Sequence, residues 1–273
     1  MSLSEQQKID IAVQQYSNSK SIKNILKKII LPFLHFIRKI LSLLKYHCLP
    51  LTPPSHYSVQ SAYERYQIEE IEKSYNFFKK YFNSSLFFDD ATLHREYAIL
   101  EAKRNNKIND GYFLEFGVGY GSTINFFSKY VDKIYGFDSF LGLSEDWKGG
   151  YLNHSIGKFS RNGKIPKVND NVILIKGIVQ DTLLKFLNEK KPKIVFTHLD
   201  VDTYESTNYI LRLIKPFLLN NAILHFDEFY DFPGWSVGEF KAFSEQFKDN
   251  EYEYLAFNRY NHLVTIKNKK LFD

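Results

Sequence analysis

Residues 111–122 read Gly-Tyr-Phe-Leu-Glu-Phe-Gly-Val-Gly-Tyr-Gly-Ser. An apolar run over 112–117 breaks at three alternate glycines, 117, 119 and 121, and a helical stretch follows over 122–130. That is a buried strand entering a helix through a turn. Glycines let the chain turn tightly and let a ligand approach the backbone, and a helix N-terminus favours an anionic group.

Downstream, further strand-like runs lie at 133–138, 171–176, 193–200 and 219–227. Helical stretches at 122–130, 179–189 and 204–215 lie between most of them. Strand–helix alternation predicts a parallel sheet with helices on both faces. After a helix near 236–247, the segments 252–257 and 262–267 are close enough to pair antiparallel. The expectation is an α/β fold with seven strands, five of them parallel. Upstream, Ile68, Ile71, Tyr75, Phe78 and Phe82 recur at helical spacing within 60–83, and 91–105 forms a second helix. Packing is the role expected of both.

The chain has 273 residues, 44% hydrophobic, 25% charged and 17% aromatic, which is the balance of a globular protein. Cys48 is the single cysteine, so an internal disulfide framework and a cysteine-based metal site are excluded. No uncharged apolar run reaches the length of a membrane-spanning helix. Charge is uneven. Residues 1–52 hold eight basic side chains against Glu5 and Asp10, and 53–273 is close to neutral, so nothing argues for nucleic-acid binding. Between residues 20 and 46, Lys, Arg, Asn, His and Ser share one arc of a helical wheel and Ile, Leu and Phe fill the rest, with Pro32 interrupting. Such a segment suits peripheral contact with an anionic membrane surface, or packing on the domain or a partner. Leu49–Ser55 is proline-rich and marks a boundary. The expected organisation is a basic segment 1–52, a helical cap 53–110 and a core 111–273. The expected setting is cytoplasmic, either free or peripheral on the inner face of a membrane.

Ligands of such sheets bind at the carboxyl ends of the strands. Asp138 ends the second strand, 21 residues after Gly117, and an acid there suits a ribose diol. Nicotinamide, flavin and S-adenosylmethionine folds all use these features. The Gly-x-Gly-x-Gly spacing and the preceding Glu115 lean towards S-adenosylmethionine. The next two strands end His198-Leu199-Asp200-Val201-Asp202 and His225-Phe226-Asp227-Glu228. Neighbouring strands lie about 4.8 Å apart, so four carboxylates converge within reach of one cation. Oxygen-only ligation suits Mg²⁺. The competing reading is that Asp202 caps the following helix and Asp227 is a turn residue. His198 and His225 read as satisfied core residues first and as partners of the carboxylates second. The loop 141–170, with Trp147, His154 and several glycines, is long enough to be a lid.

Taken together, Glu115–Ser122, Gly136–Trp147, Gly177–Leu183, Leu199–Thr207, Phe226–Phe229 and Gly234-Trp235 resemble the macrocin O-methyltransferase (TylF-type) family. The resemblance covers about 85–250. It implies a Rossmann-like class I methyltransferase fold and an S-adenosylmethionine- and Mg²⁺-dependent O-methyltransferase. The acceptor it implies is a sugar hydroxyl of a glycan, a glycolipid or a glycosylated metabolite. It also implies a homo-oligomer. By position, Glu115, Gly117, Gly119 and Ser122 would line the methionine part of the cofactor, Asp138 the ribose and Asp181 the adenine, with Ser139 also touching the cofactor. Asp200, Asp227 and Glu228 would bind the metal, and Asp202 would be the general base. Better-known members carry Asp-Asp where this chain has Asp227-Glu228. Three other readings compete. A catechol-like O-methyltransferase would use the same chemistry. An NAD-dependent oxidoreductase lacks an evident Tyr-x-x-x-Lys pair. A non-catalytic, membrane-docked partner protein would have no use for the carboxylates.

Overall fold

A computed structural model describes residues 61–106, 110–147 and 154–269. The basic segment, the stretch 20–46 and the proline-rich connector lie outside the described residues. Helix α1 (Ala62–Phe82) starts at a reciprocal cap: Glu64 N–H donates to Ser61 Oγ at 3.1 Å, and Ser61 N–H donates to the Glu64 carboxylate at 2.7 Å. A three-residue strand, β1 (Leu86–Phe88), separates it from α2 (Ala91–Asn105), which Asp90 caps by accepting from Leu93 N–H. The core then alternates through β2 (Gly111–Phe116), α3 (Ser122–Phe127), β3 (Ile134–Asp138), β4 (Val172–Lys176), α4 (Val179–Lys190), β5 (Lys193–Leu199), α5 (Tyr204–Ile214) and β6 (Leu218–Phe226). Helix α6 (Glu239–Gln246) and the strands β7 (Tyr252–Asn258) and β8 (Val264–Asn268) complete it.

The strands form one sheet in the order β1-β7-β8-β6-β5-β2-β3-β4. Strands β2 to β6 are parallel, and β8 runs antiparallel to both β6 and β7. The sheet therefore has eight strands, not the seven expected. Strand β1 pairs in parallel with β7, from Leu86 opposite Ala256 to Phe88 opposite Asn258. Three residues carry no periodicity, and the partner lies about 170 residues away, so sequence reading passes over this strand.

Helices cover both faces. Ala98, Ile99 and Ala102 of α2 and Ile124 and Phe127 of α3 pack with Val195 and Ile223 on one side. On the other side, α1, α4, α5 and α6 bury Phe78, Leu183, Phe186, Ile210, Leu211 and Phe243. The high aromatic content gathers here: Phe78, fully buried, has seven aromatic rings within 6.1 Å of its centroid. The chain passes β2, β3 and β4 in one direction, then crosses back to β5 and β6. The switch point between β2 and β5 is where a crevice opens beyond the strand ends. No helix among the described residues is long and apolar enough to cross a membrane.

Candidate functional site

A cavity of about 450 Å³ occupies that crevice. Gly117, Gly119, Ser122, Asp138, Ser139, Asp200, Asp202 and Glu228 all line it, with Phe140, Trp147 and Phe159 from the covering loop. Sequence reading placed these first eight residues in one site, and the fold brings them together.

The glycine loop is shaped by backbone demands. Gly117 has φ of +89°, and a Cβ on it would lie 1.7 Å from the Asp200 carbonyl oxygen. The chain can pass there only without a side chain. Asp138 fixes the loop from the next strand. Its Oδ2 accepts from Val118 N–H at 2.9 Å and Gly119 N–H at 2.7 Å, and its Oδ1 accepts from Phe140 N–H at 2.6 Å. A carboxylate accepts about four hydrogen bonds, so three amides leave room for one hydroxyl rather than two. Two of the residues assigned to the cofactor stand apart from the cavity wall. Glu115 is fully buried behind the floor, and Asp181 is exposed in the first turn of α4, while Gln180 beside it faces the cavity. Glu115 is turned to His198 of β5 instead, 3.5 Å from its Nδ1.

The carboxylates lie at the ends of β5 and β6, whose register sets His198 opposite His225 and Leu199 opposite Phe226. Asp227 N–H donates to Leu199 O at 3.0 Å, which ties the ends of β5 and β6 side by side, and Asp200 N–H donates to Phe116 O at 2.9 Å, which ties the end of β5 to β2. One ligand atom each from His198, Asp200 and Asp227 lies within 4.8 Å of the others. Asp202 does not cap α5. The cap residue is Thr203, and no side-chain hydrogen bond closes that end. Asp202 instead sits in the left-handed region at φ of +60°, a strained state that recurs at functional sites. Asp227 is no plain turn residue either. It accepts a hydrogen bond from Arg95 of α2.

The electrostatics divide this group. His198 is fully buried and bridges Glu115 and Asp227, each at 3.5 Å. Burial would push its pKa down, but those two carboxylates outweigh burial and hold it up at about 9. Its ring lies with Asp200 and Asp227 in the group that could hold a cation, so it stands either as a ligand or as their partner beneath the site. Burial alone would raise Asp227, but His198 and Arg95 bring it down to about 2. The remaining carboxylates go the other way. Burial and the Asp227 charge raise Asp202 to about 7 and Glu228 to about 9, and lift Asp200 well above its ordinary value. Three acids with raised proton affinity beside one fixed anion fit a cation of hard, oxygen-preferring chemistry. Asp200, Asp227 and Glu228 are the residues that would hold it, with Asp200 and Glu228 on the cavity side. His225 is a core residue, as expected. Its Nδ1 lies 2.9 Å from Thr265 Oγ1, which also meets His94 Nε2 at 2.9 Å.

Solved structures place this architecture. No family model matches the chain, and no curated protein does. The chain is similar to CalS11, a calicheamicin methyltransferase, at 19% identity over 84% of this chain and 90% of that one, with a TM-score of 0.54. The fold is that of a Rossmann-like methyltransferase. The apo structure of CalS11, described as a TDP-rhamnose 3′-O-methyltransferase, matches at 19% identity over 78% and 88%, with a TM-score of 0.49. The O-methyltransferase NovP matches at 18% identity over 65% and 80%, with a TM-score of 0.47.

Two residues at this site escaped sequence reading. Arg95 comes from a helix expected only to pack, and its signal is a cation on the face that buries Ala98, Ile99 and Ala102. Glu239 of α6 is fully buried beside Glu228, and its signal is an acid one turn before the buried Phe243.

Proposed function

We propose that the protein is an S-adenosylmethionine-dependent O-methyltransferase of the TylF type, acting with a divalent cation on a hydroxyl of a sugar diol. One observation carries the reading: Asp200, Asp202 and Glu228 face a cavity whose other wall is the glycine loop pinned by Asp138. S-adenosylmethionine would supply an electrophilic methyl group, held by the 117–122 loop and Asp138. A divalent cation held by Asp200, Asp227 and Glu228 would make a sugar hydroxyl more acidic. The chain's own residues do the rest. Asp202, with no capping bond to satisfy, takes the hydroxyl proton on its carboxylate. The deprotonated oxygen would then take the methyl group, with the sulfur keeping the electron pair of the broken carbon–sulfur bond. Arg95 and His198 hold Asp227 ionised and fixed. The covering loop, with Phe140, Trp147 and Phe159, excludes water from the transfer. Catechols present the same adjacent oxygens, and an acceptor screen separates them from sugars. An acceptor on a glycolipid would also give the basic segment 20–46 a purpose, which vesicle flotation of the full chain tests.

The test of the mechanism is Asp202→Asn, assayed with methyl-labelled S-adenosylmethionine, Mg²⁺ and a panel of sugars. Transfer should fall by about 10²–10⁴-fold while S-adenosylhomocysteine still binds. Transfer at the wild-type rate would remove Asp202 as the base.

A further inference from the structure

Among the described residues that line the cavity, Arg161 alone carries a basic side chain; the acids there are Asp138, Asp200, Asp202 and Glu228. Arg161 is half-buried and comes from the covering loop. Its backbone N–H donates to Phe140 O at 3.1 Å, and Gly163 N–H donates to the same oxygen at 2.9 Å. The chain then packs on the glycine loop, since a Cβ at Gly121 would lie 3.3 Å from Pro166 Cβ and Cγ. The Arg161 guanidinium carbon stands 4.3 Å from the centre of the Tyr120 ring, which belongs to that loop and also lines the cavity. Nε donates to Lys164 O at 3.1 Å. Among the described residues no carboxylate pairs with this guanidinium, and its Nη groups have no acceptor.

The glycine loop itself is short of donors. The backbone amides of such a turn are the ordinary receptors for an anionic group. Here Gly117 N–H donates to Phe137 O, Val118 and Gly119 N–H donate to the Asp138 carboxylate, and Gly121 N–H donates to Val118 O. An anion lying on this loop therefore finds those amides already engaged. The methionine part of S-adenosylmethionine carries such an anion, its carboxylate. The wall built from Asp200, Asp202 and Glu228 repels that group. Arg161, stacked on the loop's own Tyr120, attracts it, and a guanidinium matches a carboxylate with two N–H groups at once.

We infer that Arg161 binds the methionine carboxylate of the cofactor, and so favours the complete cofactor over nucleosides that lack this group. The inference rests on the S-adenosylmethionine reading above and is independent of the metal. It gives the covering loop a task besides excluding water, because the backbone bonds of 161 and 163 to Phe140 hold the guanidinium beside the glycine loop.

The test titrates the full chain calorimetrically with two ligands that differ by one carboxylate, S-adenosylmethionine and decarboxylated S-adenosylmethionine. Arg161→Met keeps an apolar stem of similar length against Tyr120 and removes the charge and its donors. It should weaken S-adenosylmethionine by about tenfold, the worth of a charged hydrogen bond at a half-buried site, and change the decarboxylated form by less than about twofold. The decarboxylated ligand also reports whether the variant keeps its fold. Equal losses for the two ligands would mean that Arg161 only holds the loop in place, and would overturn the inference. Unchanged affinity for S-adenosylmethionine overturns it as well. A cooperatively folded wild type that binds neither ligand overturns the S-adenosylmethionine reading, and this inference falls with it. That failure is recognisable because it appears before any substitution.

Discussion

Replacing Gly117 by alanine should damage both the fold and the site, and the size of the effect follows from the geometry. The new methyl carbon would stand 1.7 Å from the Asp200 carbonyl oxygen and 2.7 Å from its carbon. Relief needs a separation of about 1.5 Å or more between the ends of β2 and β5. Those ends are tied. Asp200 N–H donates to Phe116 O at 2.9 Å, Gly117 N–H to Phe137 O at 3.0 Å, and Asp227 N–H to Leu199 O at 3.0 Å. Losing one or two such bonds costs about 1 kcal/mol each. Holding an alanine at φ of +89° costs about 1–3 kcal/mol more. The sum, roughly 2–5 kcal/mol, is a large part of a typical domain's stability of about 5–15 kcal/mol. At about 2–4 °C per kcal/mol, the melting temperature should drop by roughly 4–20 °C. Gly119→Ala is the matched control. Its φ is +50°, and nothing lies within 4 Å of the added carbon. It should cost about 1–2 kcal/mol, the left-handed penalty alone. Chemical denaturation of the two variants side by side reads the difference. If Gly117→Ala lost less than Gly119→Ala, the close approach of the two strand ends would be wrong.

Arg95→Leu should destabilise the metal-free protein by about 2–3 kcal/mol, because Asp227 keeps only His198 as a positive neighbour; a double-mutant cycle with Asp227→Asn checks this, and a coupling energy near zero would contradict it. Burial, then the Arg95 charge, push His94 down to about 3. The unfolded chain therefore binds a proton that the folded one refuses, and this stabilising contribution is complete above about pH 6.5 and lost as the pH falls towards 3. Removing it with His94→Gln should make the pH dependence between 5 and 6 shallower by up to about 1.4 kcal/mol per pH unit, read from urea midpoints; equal slopes would refute a neutral His94. Asp138→Asn should weaken S-adenosylhomocysteine by about tenfold or more, since an amide cannot accept all three loop N–H bonds; unchanged affinity would separate Asp138 from the nucleoside.

The parallel core was legible because its strands are short, largely apolar segments, each closed by glycine or acid at or just past the carboxyl end. The carboxylates of β5 and β6 were legible for the same reason, since both strand ends announce themselves and strand spacing does the rest. What stayed hidden has a common cause. Arg95 and Glu239 reach the site from helices, and their partners lie 132 and 11 residues away along the chain. Nothing in the sequence of α2 says which residue its buried cation will meet. His198 illustrates the limit differently. Its place on the strand was readable, but its charge depends on two carboxylates, one of them on another strand and one beyond the end of a third. Asp181 shows that a motif position does not fix side-chain direction. It lies next to a cavity residue in sequence, yet the helix turns it outward.

The central claim is that the pinned glycine loop binds the cofactor of a methyltransferase. Calorimetric titration of S-adenosylhomocysteine into the full chain, with and without Mg²⁺, tests it most directly. The account predicts saturable binding with one molecule per chain, lost in Gly117→Ala and weakened in Asp138→Asn. No binding by a protein that unfolds cooperatively would contradict it.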